Sequence, residues 1–566
     1  MSRAGLPGFK TAYELDQDLP KSPPAKEDQL FIKGVTLTLT VASYFLPKDF
    51  DEPVDFSKGK YAREVLRNNL RHIILWVRIF EEKVKAECTA RGIPEAQANE
   101  LVDLFIKDPD AGLKRAKEIL PNLDLDNFRI CHDFLGYMDE MDRRLFDEGF
   151  MKKTPYAHFE LTPVHFRNME VSPSGISLEG FVRAFVTLYE TGALSLSLVF
   201  TILTNDVELP SNVGFRVDGN QPVSRVNKPL TVDDLIFFAN LDRIVFAKGV
   251  NQESGKLESL FQGTLMNIIR LVNGWNLPPD IQELESRLAY PPTQIGRMVC
   301  VFDLFQLNTG NNDAVLVSRE HIWEIQGMQR LDITWRVSLP SALESLCFSP
   351  MPEVAVFSGY STCVEIDLKP SILAILTWGA DRVSGRVTEL LLQKEFVLDL
   401  FDQFVGQQVR SLRGLAERDY ANQTKIIWKA RALLMERLES VSDTVKHLKE
   451  VITKSYFQQV EKIRGLDVRE RQLRSRLDEL GRISTGMTEI VSTSRNAEIS
   501  ERTERTQRLL GIISAVFGAL VVASIVLSLA ELYFAGSPEV ITIILVTAVS
   551  AIAAVVLVIT LIRWKG

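Results

Sequence analysis

Few residues in this chain have the types and spacing that catalysis or metal binding requires. Gly249-Val250-Asn251-Gln252-Glu253-Ser254-Gly255-Lys256 comes nearest to a phosphate-cradling loop. It has one residue too many between its glycines, and Leu257 stands where a magnesium-binding hydroxyl is needed, so it reads as an ordinary turn. His158 and His165 sit beside Phe159 and Phe166 at a spacing that makes no zinc helix, the usual setting of packed or surface imidazoles. Asp139, Glu140 and Asp142 are followed at once by Arg143 and Arg144, the mixed pattern of a solvated helix face. Cys88, Cys131, Cys300, Cys347 and Cys363 form no CxxC pair and read as reduced thiols. No serine or cysteine occupies a nucleophile elbow, so the expectation is a protein that is not an enzyme.

Chemistry at a membrane has more support. Leu509 to Leu529 and Val540 to Ile562 contain no charged residue, and each run is long enough, at about 1.5 Å per residue, to cross about 30 Å of hydrocarbon. Gly511, Ser514, Gly518, Ser524 and Ser528 line the first run with small side chains, which either let helices pack closely or leave room for water and ions. Glu531 and Glu539 flank the turn Gly536-Ser537-Pro538, where they either form an acidic ring in an oligomer or simply keep the turn polar. Arg502, Arg505 and Arg508 precede the first run, and Arg563 and Lys565 follow the second. By the positive-inside rule both termini are cytoplasmic, giving a multi-pass protein of the inner cell membrane.

The elements that must carry these runs fall into four segments. Residues 1–27, with Pro7, Pro20, Pro23 and Pro24 among charges, read as a flexible tail. Nothing after Met1 resembles the apolar core of a signal peptide, which keeps the soluble part in the cytoplasm. Residues 28–384 read as a cytosolic α/β domain. Val35 to Val41 alternates apolar and hydroxyl residues as a half-buried strand does, and further strands are expected at Leu194–Ile202, Met298–Leu304, Leu331–Leu339 and Val354–Leu368. Two or three helices are expected between Tyr61 and Leu120.

Residues 385–508 read as a helical stalk or coiled coil, because no proline occurs between Pro370 and Pro538. Leu434, Leu438, Val441, Val445, Leu448 and Ile452 form one apolar seam; Leu473, Leu477, Leu480, Ser484, Met487 and Val491 form another. Gly465 and Gly481 mark either a helix–helix turn or a tolerated weak point. Residues 509–566 form the hairpin, with spans 509–529 and 540–562. The fold class is thus an α/β cytosolic domain plus a long α-helical stalk and a C-terminal two-helix transmembrane hairpin. The 566-residue chain has a net charge of -8 and a mean hydropathy of +0.03, with no arginine-lysine tract, so no direct binding of duplex nucleic acid is expected.

This order of parts resembles the CorA family of divalent-cation transporters. Thr503, Leu510, Ile512, Ile513 and Phe517 match places in the family's first span, and the ending Ile562-Arg563-Trp564-Lys565-Gly566 is similar to its basic-tryptophan terminus. The match covers the C-terminal hairpin and the end of the stalk. The family's Gly-Met-Asn signature is absent: the same register holds Ser528, Leu529 and Ala530.

The resemblance implies a homopentamer in membrane lipid, with Glu504, Gln507, Leu510, Ser514, Gly518, Val521 and Ser528 facing the axis and Leu510 as an apolar constriction. It places Ser528, Leu529, Ala530, Glu531 and Glu539 at the pore mouth. A divalent cation is then the permeant or regulatory ion, and no other metal site is assigned. A subset of CorA-like proteins serves type III CRISPR defence, answering a nucleotide second messenger, SAM-AMP. The large cytosolic domain and altered pore mouth suit such a ligand-gated effector, whose ligand site the sequence does not locate. The alternatives are a conventional magnesium, cobalt or nickel transporter, or a non-conducting, membrane-anchored coiled-coil scaffold or sensor.

Overall fold

The computed structural model describes residues 22–25, 28–48, 54–153, 155–168, 170–209, 216, 221–241, 244–248, 251–276, 281–288, 290, 297–337, 346–370, 383–412, 420–533 and 538–565. The flexible tail expected at 1–27 lies almost wholly outside them. An α/β sheet domain is present, together with a long C-terminal helix that becomes apolar toward its end.

The expected strand at Val35–Val41 is the middle of β1 (Ile32–Tyr44), which lies deep in an eleven-stranded sheet. The others are β2 (Tyr156–Asn168), β3 (Glu179–Tyr189), β4 (Ala193–Thr204), β5 (Ser224–Val226), β6 (Ile244–Lys248), β7 (Asn251–Gly255), β8 (Val299–Leu307), β9 (Leu346–Met351), β10 (Val354–Ser358) and β11 (Thr362–Asp367). Their order is β7-β6-β2-β3-β4-β1-β8-β11-β10-β9, with β5 on β4. Among the described strands only β11 against β8 and β5 against β4 run parallel.

One face of the sheet is apolar: Leu37, Leu39 and Val41 lie among Leu196, Leu198, Phe200, Phe302 and Leu304, all buried. Each such side chain contributes about 1.5–3 kcal/mol by leaving water. The other face carries Thr36, Thr38, Thr40, Ser195, Ser197, Thr187, Arg183 and Glu160. The expectation of half-burial is corrected here, because these polar residues are buried too. Alternation records which residues share a face, and the polar face is covered by a helix that is itself polar.

Leu331–Leu339 is not a strand in its described part. Leu331 turns left-handed (φ 52°) after helix Ile322–Arg330, and turns continue to Val337. The apolar period arises from one anchor, buried Trp335, whose indole donates to Asp233 at 2.7 Å, while Ile333 and Val337 face water. Val354–Leu368 is the hairpin β10–β11. Between Arg63 and Ile119 lie four helices, Arg63–Asn69, Leu75–Ala90, Glu95–Lys107 and Pro109–Ile119, one more than expected. The last begins anew at Pro109, where Asp108 caps the backbone N–H of Ala111 at 3.0 Å. Trp76, Phe80, Phe105 and Phe128 pack this helical part together.

The proline-free region is helical: Val383–Leu412, Tyr420–Asp443, Val451–Ile463, Leu466–Tyr533 and, after Ser537, Pro538–Lys565. The first seam crosses a break, since Thr444–His447 is a tighter 3-10 turn and Leu448 bridges to Phe146. Gly465 is the helix–helix turn, with φ 66°, a conformation that suits glycine. Gly481 lies within the long helix, where a Cβ would come within 3.0 Å of the Arg431 side chain.

Two compact units divide the chain. The first, residues 1–407 and 432–477, holds the sheet, most of helix Val383–Leu412, and Leu434, Leu438, Val441, Leu473 and Leu477 as buried core. Most of both seams is therefore satisfied inside one chain, and oligomerisation does not follow from their apolar faces. The second, residues 408–431 and 478–566, holds the rest of the long helix and helix Pro538–Lys565. Within it, Arg431 pairs with Asp478 at 3.0 Å beside Trp428, and all three line a cleft of about 510 Å³ together with Gly481 and Gly486.

Among the described residues one helix is long and apolar enough to cross a membrane, and its apolar stretch is unburied. The second expected span is helical, but its described apolar stretch is the shorter Thr542–Val556. Residues 534–537, which include most of the expected turn Gly536-Ser537-Pro538, lie outside the described residues.

Candidate functional site

Helix Val383–Leu412 brings together the charged groups of the first unit. Its sequence alternates apolar turns with Arg386, Glu389, Lys394 and Glu395, all buried. The sheet beneath offers polar partners because β2, β3 and β4 align Tyr156 with Tyr189, and Thr187 with both His158 and Ser195.

Arg386 is the centre of one cluster. Its Nη1 donates to Glu389 at 2.5 Å, its Nε to Asp142 at 3.2 Å, and its guanidinium lies 4.8 Å from the Tyr156 ring centroid. Glu389 also accepts from the Tyr189 hydroxyl at 2.9 Å and the Ser195 hydroxyl at 2.5 Å. Burial pushes the Glu389 carboxyl up, but Arg386, His158 and the hydroxyls of Ser195 and Thr187 together outweigh it and leave the group at about 2. Burial, and then Arg386, pushes His158 down to about 3, so its imidazole is neutral, with Nδ1 2.7 Å from the Thr187 hydroxyl. Beside them Arg183 donates to buried Glu160 at 2.8 Å. Every charge around Arg386 has a counter-charge and hydrogen bonds, as a buried ionic network must.

The opposite side of the helix meets the start of the long helix. Lys394 Nζ bonds Glu461 and Glu470, both at 2.6 Å, and Glu470 also accepts from Ser442 and Arg474. Glu395, Asp399 and Asp402, spaced four and three residues apart, face Arg469 and Arg476: Asp399 pairs with Arg469 and Asp402 with Arg476. Glu395 also accepts from Arg297 at 2.9 Å. Arg464 differs from its neighbours. Its side chain is wholly buried, its nearest carboxylate oxygen is Glu395 Oε2 at 3.9 Å, and none of its three guanidinium nitrogens makes a hydrogen bond.

No family model, curated protein or solved structure matches this chain. Its chemistry therefore has to be read from its own residues. Cys88, Cys131, Cys300 and Cys363 are buried and free, with burial pushing the Cys363 thiol up to about 12, the opposite of a reactive thiolate. Among the described residues no group of His, Cys, Asp and Glu is placed to hold a metal. The arrangement can tie the sheet to the long helix through charge, and its unsatisfied member can take an anion.

The residues singled out from sequence lie elsewhere. Glu504, Gln507, Leu510, Ser514, Gly518, Val521 and Ser528 are all exposed on the long helix, spaced to share roughly one face. Glu504 pairs with Arg508 at 2.7 Å, one of a run with Glu498–Arg502 and Glu501–Arg505. Leu529 is exposed; Ala530 and Glu531 are helical, and Glu539 opens the next helix. Gly249 and Val250 lie outside the described residues, and Asn251–Gly255 is strand β7, hairpin-paired with β6.

The solvated reading of Asp139, Glu140 and Asp142 needs correction at one residue. Glu140 is exposed and pairs with Arg144, whereas Asp142 is buried against Arg386. Arg386, Glu389, Lys394, Glu395 and Arg464 were all missed from sequence. The available signal was charge recurring within the apolar segment Val383–Phe401, at positions an ordinary amphipathic helix would fill with apolar residues.

Proposed function

We propose that the chain is a CorA-like, oligomeric membrane channel whose cytosolic sheet domain is a ligand sensor. One observation carries this reading. The helix Leu466–Tyr533 is fixed at its beginning by the ion pairs of Arg469 and Arg476, and continues without a break into the apolar, exposed run Leu509–Leu529. An anchor alone requires neither that continuity nor a polar interior at its root.

In this reading Pro538–Lys565 is the second span and both termini are cytoplasmic. Five copies surround an axis lined by Glu504, Gln507, Leu510, Ser514, Gly518, Val521 and Ser528, with Leu510 closing the path by dewetting. The permeant ion is a cation. The trigger is a nucleotide messenger, in keeping with the type III CRISPR role that the resemblance implies. A ligand opens such a ring only by preferring its open form, and equivalent sites multiply per-site preferences of about 1–3 kcal/mol.

A second reading, a non-conducting anchored sensor, gains weight because most of both apolar seams is buried within one chain. Ion flux into liposomes carrying the full chain separates the two. The channel reading expects flux that a thiol reagent blocks in Ser514→Cys but not in Phe517→Cys; absence of flux under every nucleotide supports the anchor. Flux set only by internal magnesium returns the conventional transporter.

A further inference from the structure

We propose that the junction between helices Val451–Ile463 and Leu466–Tyr533 is a seat for a phosphoryl group, built by Arg464, Arg297 and Arg469 and occupied at rest by the Glu395 carboxylate. Three guanidiniums converge on this one carboxylate, from Arg297 at 2.9 Å, Arg469 at 3.6 Å and Arg464 at 3.9 Å. Only Arg297 is close enough to hydrogen-bond it, and Glu395 Oε2 accepts no hydrogen bond. Asp399 offsets one further charge through Arg469. The cluster remains net positive.

Arg464 makes the seat more than a structural ion pair. A wholly buried guanidinium without a single hydrogen bond is costly, and an apolar residue of similar volume would fill the same space at lower cost. What an arginine offers is a planar fork of donors that matches the oxygens of a phosphoryl group. Arg297 and Arg469, each about one-third exposed, form the solvent side of the seat, and Arg297 lies 3.7 Å from the ring centroid of exposed Tyr360. Gly465 turns the chain so that the long helix starts at Leu466, two residues after Arg464, which puts the positive end of its dipole at this junction.

A phosphoryl group satisfies Arg464 by displacing Glu395. The residues on either side of that displacement, Lys394 and Asp399, hold the long helix through Glu470 and Arg469. Ligand at this seat therefore loosens or re-registers the root of the long helix. The consequence for a pore rests on the channel reading given above, whereas binding does not.

The test is binding of inorganic phosphate and of ADP to the full-length protein in detergent, read by calorimetry and by the rise in thermal midpoint that a ligand of the folded state produces. Arg464→Met and the rim variant Arg297→Gln are each expected to weaken binding about tenfold or more, the loss of one charge-assisted hydrogen bond. Glu395→Gln, which removes the competing anion, is expected to tighten it. Equal affinity for phosphate and ADP assigns the seat to a bare phosphoryl group, and tighter ADP assigns it to a nucleotide. No binding to the native chain, or binding unchanged in both arginine variants, overturns the proposal. A protein that binds but does not conduct rejects the channel and leaves the seat standing.

Discussion

Arg386 and Arg464 are both buried arginines, the first on helix Val383–Leu412 and the second facing it through Glu395, and their surroundings are opposite. Arg386 has two carboxylates within hydrogen-bond reach and an aromatic face. Arg464 has a carboxylate at 3.9 Å and no hydrogen bond. Burial of charge is common to the two, so burial alone does not separate a structural network from a binding seat. Satisfaction of the guanidinium does: that of Arg386 is hydrogen-bonded to two carboxylates of its own chain, and that of Arg464 to none.

Arg386→Met should have the largest effect. It strands Asp142 and Glu389 in a low-dielectric interior, and about 3–5 kcal/mol of stability should be lost in chemical denaturation of the full-length protein, followed at the sheet domain. A loss under about 1 kcal/mol would mean that the two arginines do not differ in kind.

Acid should act on the same cluster. His158 falls from 6.5 to about 3 and Glu389 from 4.5 to about 2 on folding, so both groups bind protons more readily when unfolded. Their contribution is present above the unfolded values and lost as pH falls: His158 between 6.5 and about 3, Glu389 between 4.5 and about 2. The denaturation midpoint should decline below pH 6.5, and His158→Gln should flatten the first part of that decline.

Arg464→Met should change stability by less than about 1 kcal/mol or raise it, because Glu395 keeps Arg297 and Arg469 while an unsatisfied guanidinium leaves the interior. The same denaturation curves as for Arg386→Met give the direct contrast. The smallest effect belongs to exposed charge. Glu501→Ala removes one i,i+4 pair on the long helix and should cost about 0.3–0.5 kcal/mol, within the scatter of most melting data.

Much of the fold was legible because it depends on local pattern. Thr36, Thr38 and Thr40 marked β1, and the absence of proline after Pro370 marked the helices through Tyr533. The continuity of stalk and apolar run is legible because the polar stretch Ser492–Arg508 enters that run without a breaker. The charged interior was not legible, for a physical reason. Asp142 and Arg386 meet across 244 residues, and nothing in either neighbourhood tells a buried aspartate from the exposed Glu140 two positions earlier. The seams are ambiguous in a related way: a narrow apolar stripe states that a helix face is buried, and not whether its own chain or a second copy buries it.

The central claim is that the unsatisfied cluster governs the root of the long helix, and amide hydrogen exchange of the full-length protein with and without ADP tests it most directly. Protection of Leu466–Leu477 and of the facing stretch Gln393–Asp402 should change together on ADP addition, while β2, β3 and β4 around Arg386 stay as they were. Unchanged exchange at Leu466–Leu477, or a uniform change throughout the sheet domain, would contradict it.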